Sequence, residues 1–223
     1  MPGAEDRILE VDTPEGPGRF FIADADDPAA LLIMGHGAGG GVDAVDLSVL
    51  SSRLPEHGIT VARFEQPWRT AGKKVASPPP RLDSAWTGAV PALLAGSAGL
   101  PYFFGGRSAG ARVACRTAPG FTDVRGVVCC AFPLHPPGRP DRSRAGELLG
   151  AGVPRLVIQG ERDTFGGPDE VRAVITETDP ITIIEVPGAD HSMRTPKSAP
   201  ITPVEVRDLI TVSVIDFVRS AGS

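Results

Sequence analysis

The stretch PYFFGGRSAG, residues 101–110, decides how this chain is read. Residues 101–104 are an apolar run that predicts a buried strand, and residues 109–118 are small enough to pack as a helix, stopped by Pro119-Gly120. Between them Gly106-Arg107-Ser108-Ala109-Gly110 matches G-x-S-x-G. In a chain with 27 glycines the bare pattern is weak, since about 0.2 matches arise by chance. Its position between strand and helix gives it meaning. Such a turn is sharp and strained at the serine and lifts the hydroxyl above the sheet, and glycines two residues to either side remove side chains that would collide there. Ser97, in AGSAG, precedes the strand and lies at the wrong end of the sheet.

Working outward, short apolar runs alternate with helical patterns. Residues 8–11 and 19–23 read as a first pair of strands. Strands follow at 29–34, 58–64, 124–131, 155–159 and 181–186. Helices are predicted at 44–54, 82–94, 168–175 and from Pro203 to the end, the last with Thr202 as N-cap and Glu205 completing a capping box. Gly88 and Pro91 interrupt the 82–94 pattern. Continuous apolar runs between helices mean parallel strands covered on both faces, so the class is α/β with a mostly parallel sheet in a single domain over residues 1–223. Ligands of such sheets bind beyond the carboxyl ends of the strands. A residue just after a strand therefore faces the site.

Composition excludes several functions. The net charge is −5, which argues against a nucleic-acid binder with a basic face. No apolar run reaches the roughly 18 residues of a membrane span. The opening residues MPGAEDRILE predict no secretory signal. Of three cysteines, Cys129 and Cys130 are neighbours pointing to opposite faces, so disulfides are not expected and a reduced, cytoplasmic setting is. No Cys or His cluster has metal spacing, and no metal or cofactor is expected.

An activated serine needs a base, and the base an orienting acid. His57 precedes a strand and lies at the far end. His36 opens a glycine turn, and His135 follows the Cys129-Cys130 strand. Only His191, after the last strand, comes behind an acid in the order Ser, acid, His. That acid is Asp163, after RLVIQGER, with Glu161 as the fallback; Asp190 reads as a turn-stabilising carboxylate. The oxyanion of an acyl-transfer intermediate needs two backbone N–H donors. Ala109, after the serine, supplies one. The loop HGAGGG, residues 36–41, supplies the other, with Ala38 chosen and Gly37 and Gly39 as alternatives. The loop lacks the G-K-[ST] ending of a phosphate cradle.

Together HGAGG, GGRSAG, QGERD and GADHS resemble the α/β-hydrolase superfamily, in its order and across most of the chain. The resemblance is closest to small, capless dienelactone-hydrolase-like members, and within them to the family of the testis-expressed protein thirty and the third non-specific-lethal complex subunit, through RFEQPW at 63–68, PLHPPGRP at 133–140 and QGERDTFG at 159–166. It implies a Ser108/Asp163/His191 triad. Glu65-Gln66 departs from the pattern. The 23 residues from 132 to 154 hold no more than a proline-rich loop and one short helix at 145–149, so no cap domain is expected.

The expected activity is that of a serine hydrolase on an ester, thioester or related acyl bond of a small-molecule substrate, without nucleic acid or membrane as partner. A scaffold retaining the hydrolase fold is the alternative, and a peptidase of the same fold ranks third. His36, Arg107, His135 and Trp68 are candidate substrate-binding residues. Trp68 reads equally as a side chain packed on the core, and Arg107 as half of a carboxylate pair. The polar, proline-rich segment 69–81 is a candidate flap over the site.

Overall fold

A computed structural model describes residues 6–97 and 99–222. Strands β1 (Arg7–Thr13) and β2 (Gly16–Ala23) form an antiparallel hairpin, longer than the sequence pattern predicts. In β2, Phe20 and Ile22 point inward and alternate with half-exposed neighbours. Strands β3 (Ala30–Gly35), β4 (Ile59–Glu65), β5 (Tyr102–Arg107), β6 (Val124–Cys130), β7 (Arg155–Gly160) and β8 (Ile181–Val186) complete the sheet. Its order is β1-β2-β4-β3-β5-β6-β7-β8. The pairings from β4 through β8 are parallel, and β2 joins β4 antiparallel. Every residue of β3, β4 and β7 is buried, which is why those stretches carry no polar alternation.

The helices are α1 (Val45–Arg53), α2 (Pro67–Thr70), α3 (Pro79–Ala95), α4 (Ala109–Thr117), α5 (Ala145–Leu149), α6 (Pro168–Arg172) and α7 (Pro203–Ala221). Two apolar cores result, one on each face of the sheet. Trp86 and Val90 of α3 and Val113 of α4 cover one, against Phe64 and Phe104. Leu47 and Leu50 of α1 and Ile210 and Val214 of α7 cover the other, against Met34 and Phe103. Cys129 faces the first core and Cys130 the second, as their adjacency requires. All three cysteines are buried and free. The capping box of α7 forms as expected: Thr202 Oγ1 accepts from the Glu205 N–H, and Glu205 accepts from the Thr202 N–H.

Two helices differ from the sequence reading. Helix α3 begins three residues early at Pro79, because proline at the first helical positions loses no hydrogen bond there. Gly88 sits within it because Pro14, in the β1–β2 turn, packs where a side chain would stand. Helix α6 stops at Arg172, short of residue 175. Beyond it the Asp179 carboxylate takes the Thr176 N–H and hydroxyl, a local turn that competes with helix. Between β6 and β7 there is a loop, a short 3-10 turn at Pro140–Arg142 and α5, and no cap domain.

The serine lies where the topology predicts. Strands β4 and β5 lie on opposite sides of β3, so the connections leaving β3 and β5 diverge and open a crevice at their carboxyl ends. Ser108 occupies this point between β5 and α4 with φ 52° and ψ −111°, a conformation an L-residue rarely adopts. The turn is possible because three backbones nearly touch. A Cβ on Gly106 would come within 2.5 Å of the Gly110 carbonyl carbon and 2.7 Å of Gly35 O, and a Cβ on Gly110 would overlap the Gly35 carbonyl. The collision foreseen from the sequence is therefore also one with the neighbouring strand.

Gly110→Ala is expected to cost about 1–3 kcal/mol or more, since β3 and α4 must separate. Gly39→Ala, with no atom within 4 Å of the new methyl, should stay within about 0.5 kcal/mol. Urea unfolding of the two variants beside wild type makes the comparison. Equal midpoints for both would show that the close approach is not needed for stability.

Candidate active site

Three loops bring Ser108, His191 and Asp163 together. His191 Nε2 is 3.0 Å from Ser108 Oγ. Its Nδ1 lies 2.8 Å from Asp163 Oδ2 and 3.0 Å from Oδ1. The Asp163 carboxylate is fully buried, whereas the imidazole keeps some access to solvent. An acceptor at Nδ1 favours the tautomer with its proton there and leaves Nε2 with a free lone pair facing the hydroxyl.

Each member is held from behind. Asp163 Oδ1 accepts the Phe165 N–H at 2.8 Å, and Oδ2 faces the buried Gln159 amide at 3.0 Å. The same amide nitrogen reaches the carbonyls of Gly166 and Phe132, so the end of β7 and the loops beside it are tied at one point. The Phe165 ring stacks on the His191 ring with centroids 4.1 Å apart. Glu161, the fallback acid, is committed to the Gly188 N–H at 2.6 Å. Asp190 accepts from the Ser192 and Arg194 N–H groups, the turn role its position suggested.

Arg107, next to the serine, lines the cavity, but its guanidinium turns to the histidine loop. Nη2 donates to the His191 carbonyl at 2.6 Å, and Nη1 lies 3.5 Å from the buried Asp46 carboxylate. The carboxylate-pair reading of Arg107 is the one the geometry matches. Burial pushes the Asp46 carboxyl above its ordinary value, and Arg107 opposes that shift.

The glycine loop after β3 lies against Ser108: a Cβ on Gly37 would be 3.5 Å from the Ser108 Cβ. Among the described residues, the Ala38 N–H has no hydrogen-bond partner. The Ala109 N–H opens α4, ahead of the first intrahelical bond. Ala38, Gly39, Ala109, Ser108 and His191 all line a cavity of about 580 Å³, open at one side. Phe165, Pro133, Arg112, Arg144 and Arg194 form much of the remaining wall.

The other expected substrate contacts fall elsewhere. His36 is buried beneath the glycine loop, donating from Nδ1 to Gly37 O at 2.9 Å and accepting the Gln66 N–H at Nε2. Trp68 packs on its ring at 5.5 Å and is buried, so its core reading holds. Both line a separate small cavity behind the loop. His135 is buried, with Nδ1 2.9 Å from Pro136 O and Nε2 3.0 Å from Glu170. The Pro136 carbonyl and the Glu170 carboxylate hold its pKa above the ordinary value, and it supports the wall behind Asp163. Glu65 pairs with Arg19, and Gln66 bonds Leu82 O, so this pair props up the fold. No residue of 69–81 lines the Ser108 cavity. The segment is divided among the end of α2, an exposed loop and the first turn of α3. Gln159, Phe165 and Asp46 escaped the sequence reading, although the first two stand in the QGERDTFG stretch around Asp163.

Among the described residues no group of His, Cys, Asp or Glu could hold a metal, and no helix is long and apolar enough to cross a membrane. The chain belongs to the alpha/beta hydrolase domain family, which matches residues 28–219. Its fold is that of an α/β hydrolase. A solved alpha-beta serine hydrolase homologue from Coxiella burnetii superposes with a TM-score of 0.74 at 17% identity, covering 95% of this chain and 98% of that one. A serine hydrolase without lid from Xanthomonas campestris gives 0.72 at 22%, covering 97% and 95%. A dienelactone hydrolase from Anabaena variabilis gives 0.73 at 16%, covering 98% of each.

Burial lowers the pKa of His36 below its ordinary 6.5. As pH falls through 6.5 the unfolded chain takes up a proton that the folded protein does not, so stability is lost on acidification, with a slope of at most about 1.4 kcal/mol per pH unit. His36→Gln should flatten that loss between pH 7.5 and 5.5 in urea titrations. An unchanged pH slope would show that His36 carries its proton in the folded protein.

Proposed function

We propose that the protein is a serine hydrolase that cleaves an ester or thioester through an acyl-enzyme. The observation that carries this reading is the continuous chain Ser108 Oγ, His191 Nε2, His191 Nδ1, Asp163 at hydrogen-bond distance, on an open cavity. Family membership and the serine-hydrolase and dienelactone-hydrolase neighbours support hydrolysis in general.

Ser108 Oγ attacks the acyl carbon while His191 Nε2 takes its proton. The carbonyl π pair moves onto oxygen, and that oxyanion sits between the Ala38 and Ala109 N–H groups. Asp163 steadies the imidazolium without taking its proton. When the intermediate collapses, the bond to the leaving oxygen or sulfur breaks and His191 protonates it. Water then attacks the acyl-enzyme by the same route, its proton passing to His191 and back to Ser108 as the acid leaves. The strained serine and the loop glycines set these donors before the substrate arrives, so little reorganisation is needed at the transition state.

The PLHPPGRP and GADHS stretches further support placing the chain with the family of the testis-expressed protein thirty and the third non-specific-lethal complex subunit.

A fluorophosphonate probe should add once to wild type and not to Ser108→Ala, read by intact mass. On short p-nitrophenyl esters the variant should lose about 10⁶-fold in kcat, leaving what the oxyanion donors and binding supply. A loss below tenfold, or labelling that survives the substitution, would overturn the mechanism and leave the scaffold reading in its place.

A further inference from the structure

The charge of the cavity wall does not match the charge of the molecule. The chain carries −5 overall, yet four arginines line the Ser108 cavity and one carboxylate, the exposed Asp43, accompanies them. Two of the four are spoken for. Arg107 is paired with Asp46 beneath the wall. Arg112 forms a two-pronged pair with Glu147, at 2.6 and 2.7 Å, but Glu147 is shared with Arg116, which also takes Asp83. Arg144 stands beside this cluster with no carboxylate in ion-pair range among the described residues. Its one side-chain hydrogen bond runs from Nη1 to the Pro133 carbonyl at 3.1 Å. It is half-buried; burial and the charges of Arg112 and Arg116 work against its guanidinium, and the nearby Glu147 offsets them only in part. Arg194, on the opposite loop, is exposed, and among the described residues its side chain has no hydrogen-bond or ion-pair partner.

A half-buried cation left unpaired among other cations is costly, and an incoming anion relieves that cost. A guanidinium with free N–H groups presents a planar fork that fits a carboxylate. By count of charge alone, Asp43 offsets one of the two unpaired cations and one positive charge remains, which suits a monoanion rather than a phosphate dianion.

We propose that the Ser108 cavity selects substrates carrying a carboxylate away from the scissile bond, held by Arg144 with Arg112 and Arg194 beside it. This rests on the serine-hydrolase reading and names its substrate class: acyl esters with a free carboxylate at the far end.

The test compares two esters of equal length, mono-p-nitrophenyl adipate and p-nitrophenyl hexanoate. Wild type should favour the anionic ester in kcat/KM by at least tenfold, and added NaCl should erode the preference. In Arg144→Gln the ratio of the two kcat/KM values should fall at least tenfold, and in the exposed, fold-neutral Arg194→Gln by about threefold. No preference in wild type, or an equal loss on both esters in Arg144→Gln, would overturn the proposal. Calorimetry on Ser108→Ala separates this from the mechanism. Tighter binding of the adipate ester than of the hexanoate ester, abolished by adding Arg144→Gln, would uphold the anion site even if wild type turned over neither ester. Equal binding would refute it. Inorganic phosphate binding as tightly as the adipate ester would overturn the monoanion assignment.

Discussion

Everything at this site depends on how closely the Ser108 turn lies against the end of β3. Gly35, Gly106 and Gly110 bring three stretches of backbone into contact, and no side chain fits between them. That contact holds Ser108 at a positive φ, a conformation costing about 1–3 kcal/mol that only a rigid surrounding sustains. The sheet supplies the rigidity. β5 is flanked by β3 and β6 along its length, and the Ser108 N–H is fixed to the Cys130 carbonyl at 3.0 Å. The strain is therefore spread over the central strands, and the serine gains an exposed hydroxyl in a fixed place.

The same contact aligns the rest of the site. Because β3 ends beside the serine, the glycine loop that follows it must pass over Ser108, and its free N–H groups arrive where an oxyanion would form. His36 then holds that loop down, bonding to Gly37 above and Gln66 below. On the other side, Arg107 takes hold of the His191 backbone, so the neighbour of Ser108 in the chain sets the distance to the imidazole. This division of labour explains why the site has polar groups in its foundations that touch no substrate. A loop placed by one hydrogen bond swings, whereas a loop placed by a buried ion pair, a stacked ring and two backbone bonds does not.

How much of this was legible follows from what a linear pattern can encode. The strand-before-motif arrangement at 101–110 and the order Ser, Asp, His depend only on sequence position and strand direction, and the fold brings the three side chains they single out within hydrogen-bond distance. The two faces of Cys129 and Cys130 follow from the two-residue period of a strand. The pocket wall was less readable. His36, Trp68 and His135 all follow strands, and that rule says which end of the sheet a residue reaches, not whether it points at solvent or under a loop. His36 and Trp68 turned inward because the glycine loop, lacking side chains, needs bulk beneath it. Asp46 and Arg144 gave no signal, because each acquires its meaning from a partner, or from the lack of one, far away in the chain.

The contrast between Arg107 and Arg144 bears most directly on what the site does. Both guanidinium groups reach the same cavity, and residue type alone does not separate them. Arg107 has a carboxylate in reach and a backbone carbonyl besides, so its charge is spent within the protein. Arg144 meets a carbonyl and two other arginines, with Glu147 already divided between those two. A purely architectural arginine would be served by a carboxylate, and this chain has 27 acidic residues from which one could have been placed there. Stability alone gives no reason to keep a half-buried, unpaired cation on the wall of the Ser108 cavity. A negatively charged substrate gives one, because the charge that costs stability in the empty site becomes binding energy when the anion arrives.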